Sequence, residues 1–75
     1  MLLSQLKVGE KAKVVKLNNS PEICQRLNNM GLTRGVTVKI IRFASFKGPI
    51  EIEVRGFNLA LRYSESKKIV VEREL

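Results

Sequence analysis

The chain has 75 residues and contains no histidine and one cysteine. A chain of this length forms one domain, residues 1–75, and folding buries only about 60% of the surface that the unfolded chain exposes. The single cysteine, Cys24, excludes an intramolecular disulfide and a zinc site of four thiolates, and it is typical of a reducing compartment. Because histidine, the commonest general base and metal ligand, is missing, we expect no enzyme, no metal site and no cofactor.

Fourteen Lys and Arg residues against seven acidic residues give a formal charge of +7. This excess suits an acidic partner, such as a nucleic acid, an anionic membrane surface or an acidic protein, and equally a surface of solubilising lysines. The first residues are too charged for a signal peptide, and no apolar run approaches the ~20 residues of a membrane-spanning helix. We therefore expect a cytoplasmic protein, at most peripheral at the inner face of the cell membrane.

The N-terminal part predicts a turn followed by a bent strand. Ser4 is a candidate cap for the turn, and Gly9 ends it. Polar and apolar residues alternate over 11–14, as in a half-buried strand, and the next valine breaks the alternation. A bulge at that point would return Lys16 to the outward face of the strand.

One helix is predicted between the first and second strands. Ser20 is a good N-cap, and Pro21 suits the first helical position. Apolar residues recur at i, i+4 and i+7 and form a single stripe: Ile23, Leu27 and Met30. Gly31 and Leu32 would then end the helix in a Schellman motif, in which Leu32 contacts Leu27.

The clearest pattern is a β-hairpin over residues 50–62. A two-residue turn at Arg55-Gly56 places six apolar side chains on one face: Ile50, Ile52, Val54, Phe57, Leu59 and Leu61. A slip of one residue would destroy this agreement, so the register is well specified. Glu51 and Glu53 lie on the other face, with Arg55 and Arg62 nearby. Ion pairs on a solvated strand face are the preferred interpretation over acid–base chemistry or weak cation binding.

The remaining segments complete a mostly β chain. A strand over 36–40 bends at Ile41, a helical turn runs from Ser64 to Lys68, and a short strand covers 69–71, with Glu72 to Leu75 outside it. Small β-proteins manage their edges by curling and closing. We therefore expect a small five-stranded SH3-like barrel with one short α-helix between the first and second strands; an OB-like barrel is the alternative.

Four sequence blocks stand in a fixed order along the chain: LKVGE at 6–10, LNNMGLTRG at 27–35, GPIEIEVRG at 48–56 and LALR at 59–62. Together they resemble the FeoA family of small ferrous-iron transport accessory proteins. The chain departs from the family at Arg34, where proline is usual, and at residues 46–48, where leucine-glycine-aspartate is usual. The order and spacing of these blocks carry the resemblance, and none of them is a catalytic signature.

The resemblance implies an SH3-like accessory protein of bacterial ferrous-iron uptake, a family that also carries a transition-metal-binding label. The implied partner is FeoB, a membrane ferrous-iron transporter with a cytosolic GTP-binding domain, and no small-molecule substrate is implied. We place the partner-binding surface on the helix and the turn after it: Leu27, Met30, Leu32 and Arg34. Core packing is the competing interpretation for the first three of these residues.

Two other functions stay open. A small basic barrel could bind nucleic acid, because the charge is +7. Phe43 and Phe46 interleave with the basic residues Arg42 and Lys47, as on a nucleic-acid surface. An SH3-like module could instead capture an extended or proline-rich peptide. The candidate aromatic residues for such a groove are Tyr63, Phe46 and Phe43.

Overall fold

The computed structural model describes residues 1–74, which form five strands and two helices after a 3-10 turn at Leu3–Gln5. The elements follow in chain order: β1 Lys11–Leu17, α1 Pro21–Asn29, β2 Thr37–Phe43, β3 Ile50–Val54, β4 Phe57–Leu61, α2 Tyr63–Ser66 and β5 Ile69–Arg73. The strands form one antiparallel sheet in the order β4-β3-β2-β1-β5. The prediction of a mostly β fold with five strands is confirmed. The prediction of one helix is corrected to two, because the helical turn predicted over 64–68 forms the short helix α2.

The sheet is curved but is not closed into a barrel, which corrects the prediction. Within residues 1–74, β4 and β5 are the two edges and do not pair with each other. The outer edge of β5 is instead taken by the N-terminal segment, because the Val71 N–H donates to the Met1 carbonyl at 2.8 Å and Leu2 bridges to Val70. The outward hydrogen-bonding groups of Val71, in the middle of β5, are therefore occupied by the N-terminal segment.

Two bulges explain the curvature of the sheet. The register shifts between Val14 and Lys16 in β1 and between Ile40 and Arg42 in β2, close to the two positions where the apolar alternation breaks. Bulges bend a strand and increase its twist. The molecule measures 27 × 26 × 23 Å, and such similar extents show that the sheet wraps around its core instead of lying flat.

The hairpin and the end of α1 follow the predicted patterns. β3 and β4 pair in the predicted register, with Val54 opposite Phe57, and the turn residues Arg55 and Gly56 have φ angles of 51° and 83°. Two positive φ angles are typical of a type I′ turn, which matches the twist of the strands. At the end of α1, the Leu32 N–H donates to the Leu27 carbonyl at 2.9 Å, the long bond of a Schellman motif.

The core consists of apolar side chains from the inward face of the sheet, from α1 and from the N-terminal turn: Leu3, Leu6, Ala12, Val14, Leu27, Leu32, Val38, Ile40, Ile50, Ile52, Val54, Leu61, Ile69 and Val71. Several element bounds differ from the predictions, and β2 covers Thr37–Phe43 instead of 36–40. Leu2, and not Ser4, occupies the N-cap position of the first turn, where no side chain caps the backbone. In addition, α2 begins at Tyr63, and β5 extends to Arg73. Leu75, predicted to lie beyond the last strand, is outside the described residues.

Candidate partner-binding site

The four residues predicted to bind a partner do not form one surface. Leu27 and Leu32 are both 0% exposed, and they belong to the core cluster. A partner that binds the folded chain cannot contact them, so for these two residues the prediction is corrected: they hold the corner between α1 and β2. Met30 is 37% exposed and Arg34 is exposed, so their role as contacts stays a prediction.

The corner that presents Arg34 is fixed by backbone hydrogen bonds. The Gly35 N–H donates to the Val14 carbonyl at 2.8 Å, and the Val14 N–H donates to the Val36 carbonyl at 2.9 Å. These bonds tie the turn to the bulged part of β1. Arg34 lines a shallow depression there together with Glu72, so the surface around it has mixed charge.

A second candidate surface lies between the β2–β3 loop and the start of α2, and we call it the aromatic groove. Two adjoining depressions share Lys47 and Tyr63. Together they are lined chiefly by three aromatic rings, a proline and two cations: Phe43, Phe46, Tyr63, Pro49, Lys47 and Arg62. The three aromatic residues are those predicted for a peptide groove, and Lys47 is one of the basic residues predicted beside Phe46 for a nucleic-acid surface. Pro49 and Arg62 were not predicted for either surface.

Phe46 is the most exposed large apolar side chain of the described residues, with 91% of its surface accessible. The Lys47 ammonium lies 5.4 Å from the centre of its ring, a cation–π distance. The backbone of the loop is held by the Ala44 N–H, which donates to the Pro49 carbonyl at 3.0 Å, and by the Gly48 N–H, which donates to the Ser45 carbonyl at 2.9 Å. The loop therefore presents an apolar ring to solvent from a hydrogen-bonded base.

The shape of this loop depends on a small residue at position 48. A Cβ atom on Gly48 would lie 2.3 Å from the Ser45 hydroxyl and 3.2 Å from the Ser45 backbone nitrogen. The preceding residue, Lys47, has a φ of 57°, a left-handed conformation that is unusual for a residue other than glycine or asparagine. The tight turn leaves Phe46 at its outer side.

The aromatic groove is cationic because its basic residues are not neutralised. Within residues 1–74, the ion pairs are Arg26 with Glu65, Arg42 with Glu51, and Arg73 with Glu10. Neither Lys47 nor Arg62 takes part in them. Lys67 stands 5.7 Å from the centre of the Tyr63 ring and adds a further positive charge beside the groove. An apolar surface with cations around it suits an acidic partner segment.

The other residues considered for chemistry are engaged in structural contacts. Glu51 accepts hydrogen bonds from Arg42 Nε at 2.8 Å and from Asn58 at 3.1 Å. The ion-pair interpretation thus holds for Glu51, but its partner is Arg42 and not the predicted Arg55 or Arg62, and within residues 1–74 Glu53 forms no ion pair. The half-buried Cys24 thiol donates to the Asn19 carbonyl at 3.3 Å. Within residues 1–74, no three His, Cys, Asp or Glu side chains are grouped as a metal site, and no helix has the length and apolar character to cross a membrane.

Comparison with known proteins shows which family the chain belongs to. The FeoA domain family model matches residues 1–73. The putative Fe(2+) transport protein A of Methanocaldococcus jannaschii is 36% identical over 70 residues, which cover 93% of this chain and 83% of that protein. A fusion of Fe(2+) transport protein A with the Fe(2+) transporter FeoB, from Porphyromonas gingivalis, is 29% identical over 72 residues. These residues are 96% of this chain but only 8% of the fusion protein.

Solved structures agree with the family match. The FeoA protein of Chlorobium tepidum superimposes with a TM-score of 0.92 at 38% identity, over 97% of this chain and 70% of that one. The zinc complex of FeoA from Stenotrophomonas maltophilia, described as a prokaryotic SH3 domain protein, superimposes with a TM-score of 0.81 at 28% identity, over 96% of this chain and 89% of that one. On the match over residues 1–73 and on these relatives, the chain belongs to the FeoA domain family.

Proposed function

We propose that this chain is a cytoplasmic accessory protein of ferrous-iron transport, a binding module and not an enzyme, which docks on the cytosolic part of a FeoB-like transporter. The observation that carries the proposal is the Porphyromonas gingivalis protein, in which a domain similar to 96% of this chain is fused to the transporter FeoB. A covalent link keeps two domains at a high effective concentration. A domain that is not fused to the transporter needs a binding surface for it to reach a comparable effective concentration.

The aromatic groove is the best-supported docking surface. Burial of an aromatic side chain supplies a large part of the binding energy at protein interfaces, where Tyr and Arg are also enriched. The exposed Phe46 ring would bury a large apolar area on binding, and the unpaired Lys47 and Arg62 would attract an acidic partner. Met30 and Arg34 at the corner form the competing surface, which carries mixed charge.

Binding of the purified chain to the full-length FeoB transporter of the same organism, measured by biolayer interferometry, tests the proposal. We expect Phe46→Ser to weaken binding by about tenfold or more and to leave the thermal midpoint unchanged, because the ring is exposed. Val8→Ser is the matched control, since Val8 is an exposed apolar residue outside the groove and is 59% accessible.

Two outcomes of this binding experiment would contradict the proposal. If the wild-type chain does not bind the transporter at concentrations up to about 100 μM, docking on FeoB is wrong. If the double variant Met30→Ser, Arg34→Ser abolishes binding and Phe46→Ser does not, the docking surface is the corner after α1, and the assignment to the aromatic groove is wrong.

Nucleic acid is the alternative partner, and one observation supports it. An exposed Phe46 ring beside Lys47 has the form of a stacking platform with an adjacent cation, which single-stranded nucleic acids use. Binding of a fluorescent single-stranded RNA should then weaken steeply between low and physiological salt, because counterions are released. No change in anisotropy at low salt would exclude this function.

A further inference from the structure

The outer edge of β4, Phe57–Leu61, is the side of the sheet with which no segment of residues 1–74 pairs, and we call it the β4 edge. The strand order places β4 and β5 at the two sides of the sheet. β5 is covered by Met1 and Leu2, whereas within residues 1–74 no segment pairs with the outer side of β4. We propose that the β4 edge binds an extended segment of a partner protein, with apolar residues at alternate positions and acidic residues at its ends, as an added strand.

The register of the hairpin identifies the free backbone groups. In a two-residue hairpin the residues beside the turn form a hydrogen-bonded pair, and such pairs alternate with non-hydrogen-bonded pairs. Val54 pairs with Phe57 across the turn, so Phe57, Leu59 and Leu61 direct their backbone N–H and C=O groups toward β3. Asn58 and Ala60 direct theirs outward. Two N–H groups and two carbonyls, spaced as an incoming strand requires, are therefore free at this edge.

The β4 edge lacks the features that normally prevent strand addition. Proteins protect edge strands with lysine, proline, bulges or inward-pointing charges. β4 has the sequence FNLAL, without charge or proline, and it pairs with β3 in a continuous register over all five residues. Each of the other four strands carries at least two charged residues. An uncharged, unprotected edge strand is therefore unusual in a chain of charge +7, and it is suited to pairing with an additional strand.

An incoming strand would also find an apolar surface beside β4. Phe57 lies on the same face as the buried Val54, yet it is 70% exposed, and Leu59 is only partly buried. Both side chains lie on the inward face next to the open side of the sheet. Because side chains alternate along a strand, every second residue of an added segment would pack against Phe57 and Leu59. This predicts the apolar alternation of the bound segment.

The charged residues beside the β4 edge indicate which kind of partner binds there. Arg55 in the turn and Arg62 after the strand flank the β4 edge, and within residues 1–74 neither forms an ion pair. Acidic residues at both ends of a bound segment would face these guanidinium groups. A second copy of this chain, paired antiparallel about a two-fold axis, would instead bring Arg55 of one copy near Arg62 of the other at both ends. An acidic segment from another protein is therefore favoured over self-association, whatever the protein that carries it.

The probe is a fluorescent nine-residue peptide with the sequence DEITVTIED, which has apolar residues at alternate central positions and acidic ends. We expect saturable binding in fluorescence anisotropy below about 1 mM, with amide chemical-shift changes in NMR spectra that are largest at Asn58 and Ala60. A peptide with lysine in place of each acidic residue should bind at least about tenfold more weakly.

Two variants connect the binding to the β4 edge. Ala60→Pro removes an outward N–H and leaves the bonds to β3 intact, as proline allows on an edge strand, and we expect a loss of about tenfold in affinity. Phe57→Ser removes the apolar contact at an exposed position, and we expect the same loss of affinity. This second variant tests the β4 edge even if the proline of Ala60→Pro impairs folding. The Val8→Ser chain is the control and should bind the peptide like the wild type.

Several results would overturn the proposal. The proposal is wrong if the acidic peptide does not bind at about 1 mM or if the acidic and lysine peptides bind equally well. It is also wrong if the Ala60→Pro and Phe57→Ser chains both bind the acidic peptide as the wild type does. Sedimentation that shows a dimer of the wild-type chain and a monomer of Ala60→Pro would mean that a second copy occupies the β4 edge. Because the aromatic groove and the β4 edge are probed by different variants, failure here is distinguishable from failure to bind FeoB.

Discussion

Replacement of Leu27 with alanine tests whether the corner after α1 is a structural element or a contact surface. Leu27 is 0% exposed, and its carbonyl accepts the Leu32 N–H that closes the helix end. Truncation of a buried leucine to alanine costs about 2–5 kcal/mol of unfolding free energy, because apolar contacts are lost and a cavity is left. A domain of this size has a total stability of about 4–11 kcal/mol. The substitution should therefore remove a large share of it.

Thermal unfolding followed by circular dichroism measures this loss directly. For a domain of this size, 1 kcal/mol shifts the thermal midpoint by about 4–8 °C, so a loss of about 3 kcal/mol lowers it by roughly 12–24 °C. Urea unfolding should give the same loss with an unchanged m-value. Met30→Ala is the matched control on the same helix stripe, and its midpoint should fall far less because the Met30 side chain is 37% exposed.

A thermal midpoint within about 2 °C of the wild type would refute this reasoning, since a fully packed leucine cannot be removed without cost. If such a stable Leu27→Ala chain also failed to bind FeoB, Leu27 would be a contact residue. A second variant, Leu27→Gln, should also be destabilised, because it places an amide in the apolar core. A loss of transporter binding by Leu27→Gln reports unfolding unless its stability is measured alongside.

Two further substitutions test the electrostatic and conformational arguments. Arg26→Ala leaves the Glu65 carboxylate, which is 5% exposed, with only the Arg62 backbone N–H as a donor at 3.0 Å. Urea unfolding should show that the free energy of unfolding falls by about 1–3 kcal/mol. A second substitution, Glu65→Gln, should recover part of this loss, whereas additive losses would show that the two residues are not coupled. Arg55→Asn should raise the stability by about 0.5–1 kcal/mol, because asparagine tolerates the positive φ of the type I′ turn better than arginine; a lower thermal midpoint would contradict this strain.

Local patterns predicted those features whose physics is itself local. The register of β3 and β4 follows from a two-residue turn and the alternation of apolar residues, and it is confirmed residue by residue. The same holds for the hydrogen bond from Leu32 to Leu27 and for the bulge after Val14. Each of these depends on neighbours within about ten residues, so no knowledge of the tertiary fold was needed.

Barrel closure could not be predicted in this way because two segments compete for the outer side of β5. Five short, bent strands favour a closed barrel on general grounds, but the hydrogen-bonding groups of Val71 are used by Met1. Two residues before a 3-10 turn carry no strand periodicity. Their pairing with a strand almost 70 positions later is therefore visible only in the folded chain.

The docking prediction failed at Leu27 and Leu32 because an apolar helix stripe has the same pattern whether it faces the core or a partner. A more specific signal was present, since the contact between these residues in a Schellman motif favours burial of both. The aromatic groove could also have been inferred. The pairing of Ile50 with Leu61 places Pro49 next to Arg62, and hence brings the β2–β3 loop to the start of α2. What the register alone does not provide is the left-handed turn at Lys47, which leaves the Phe46 ring in solvent and gives the groove its exposed apolar side chain.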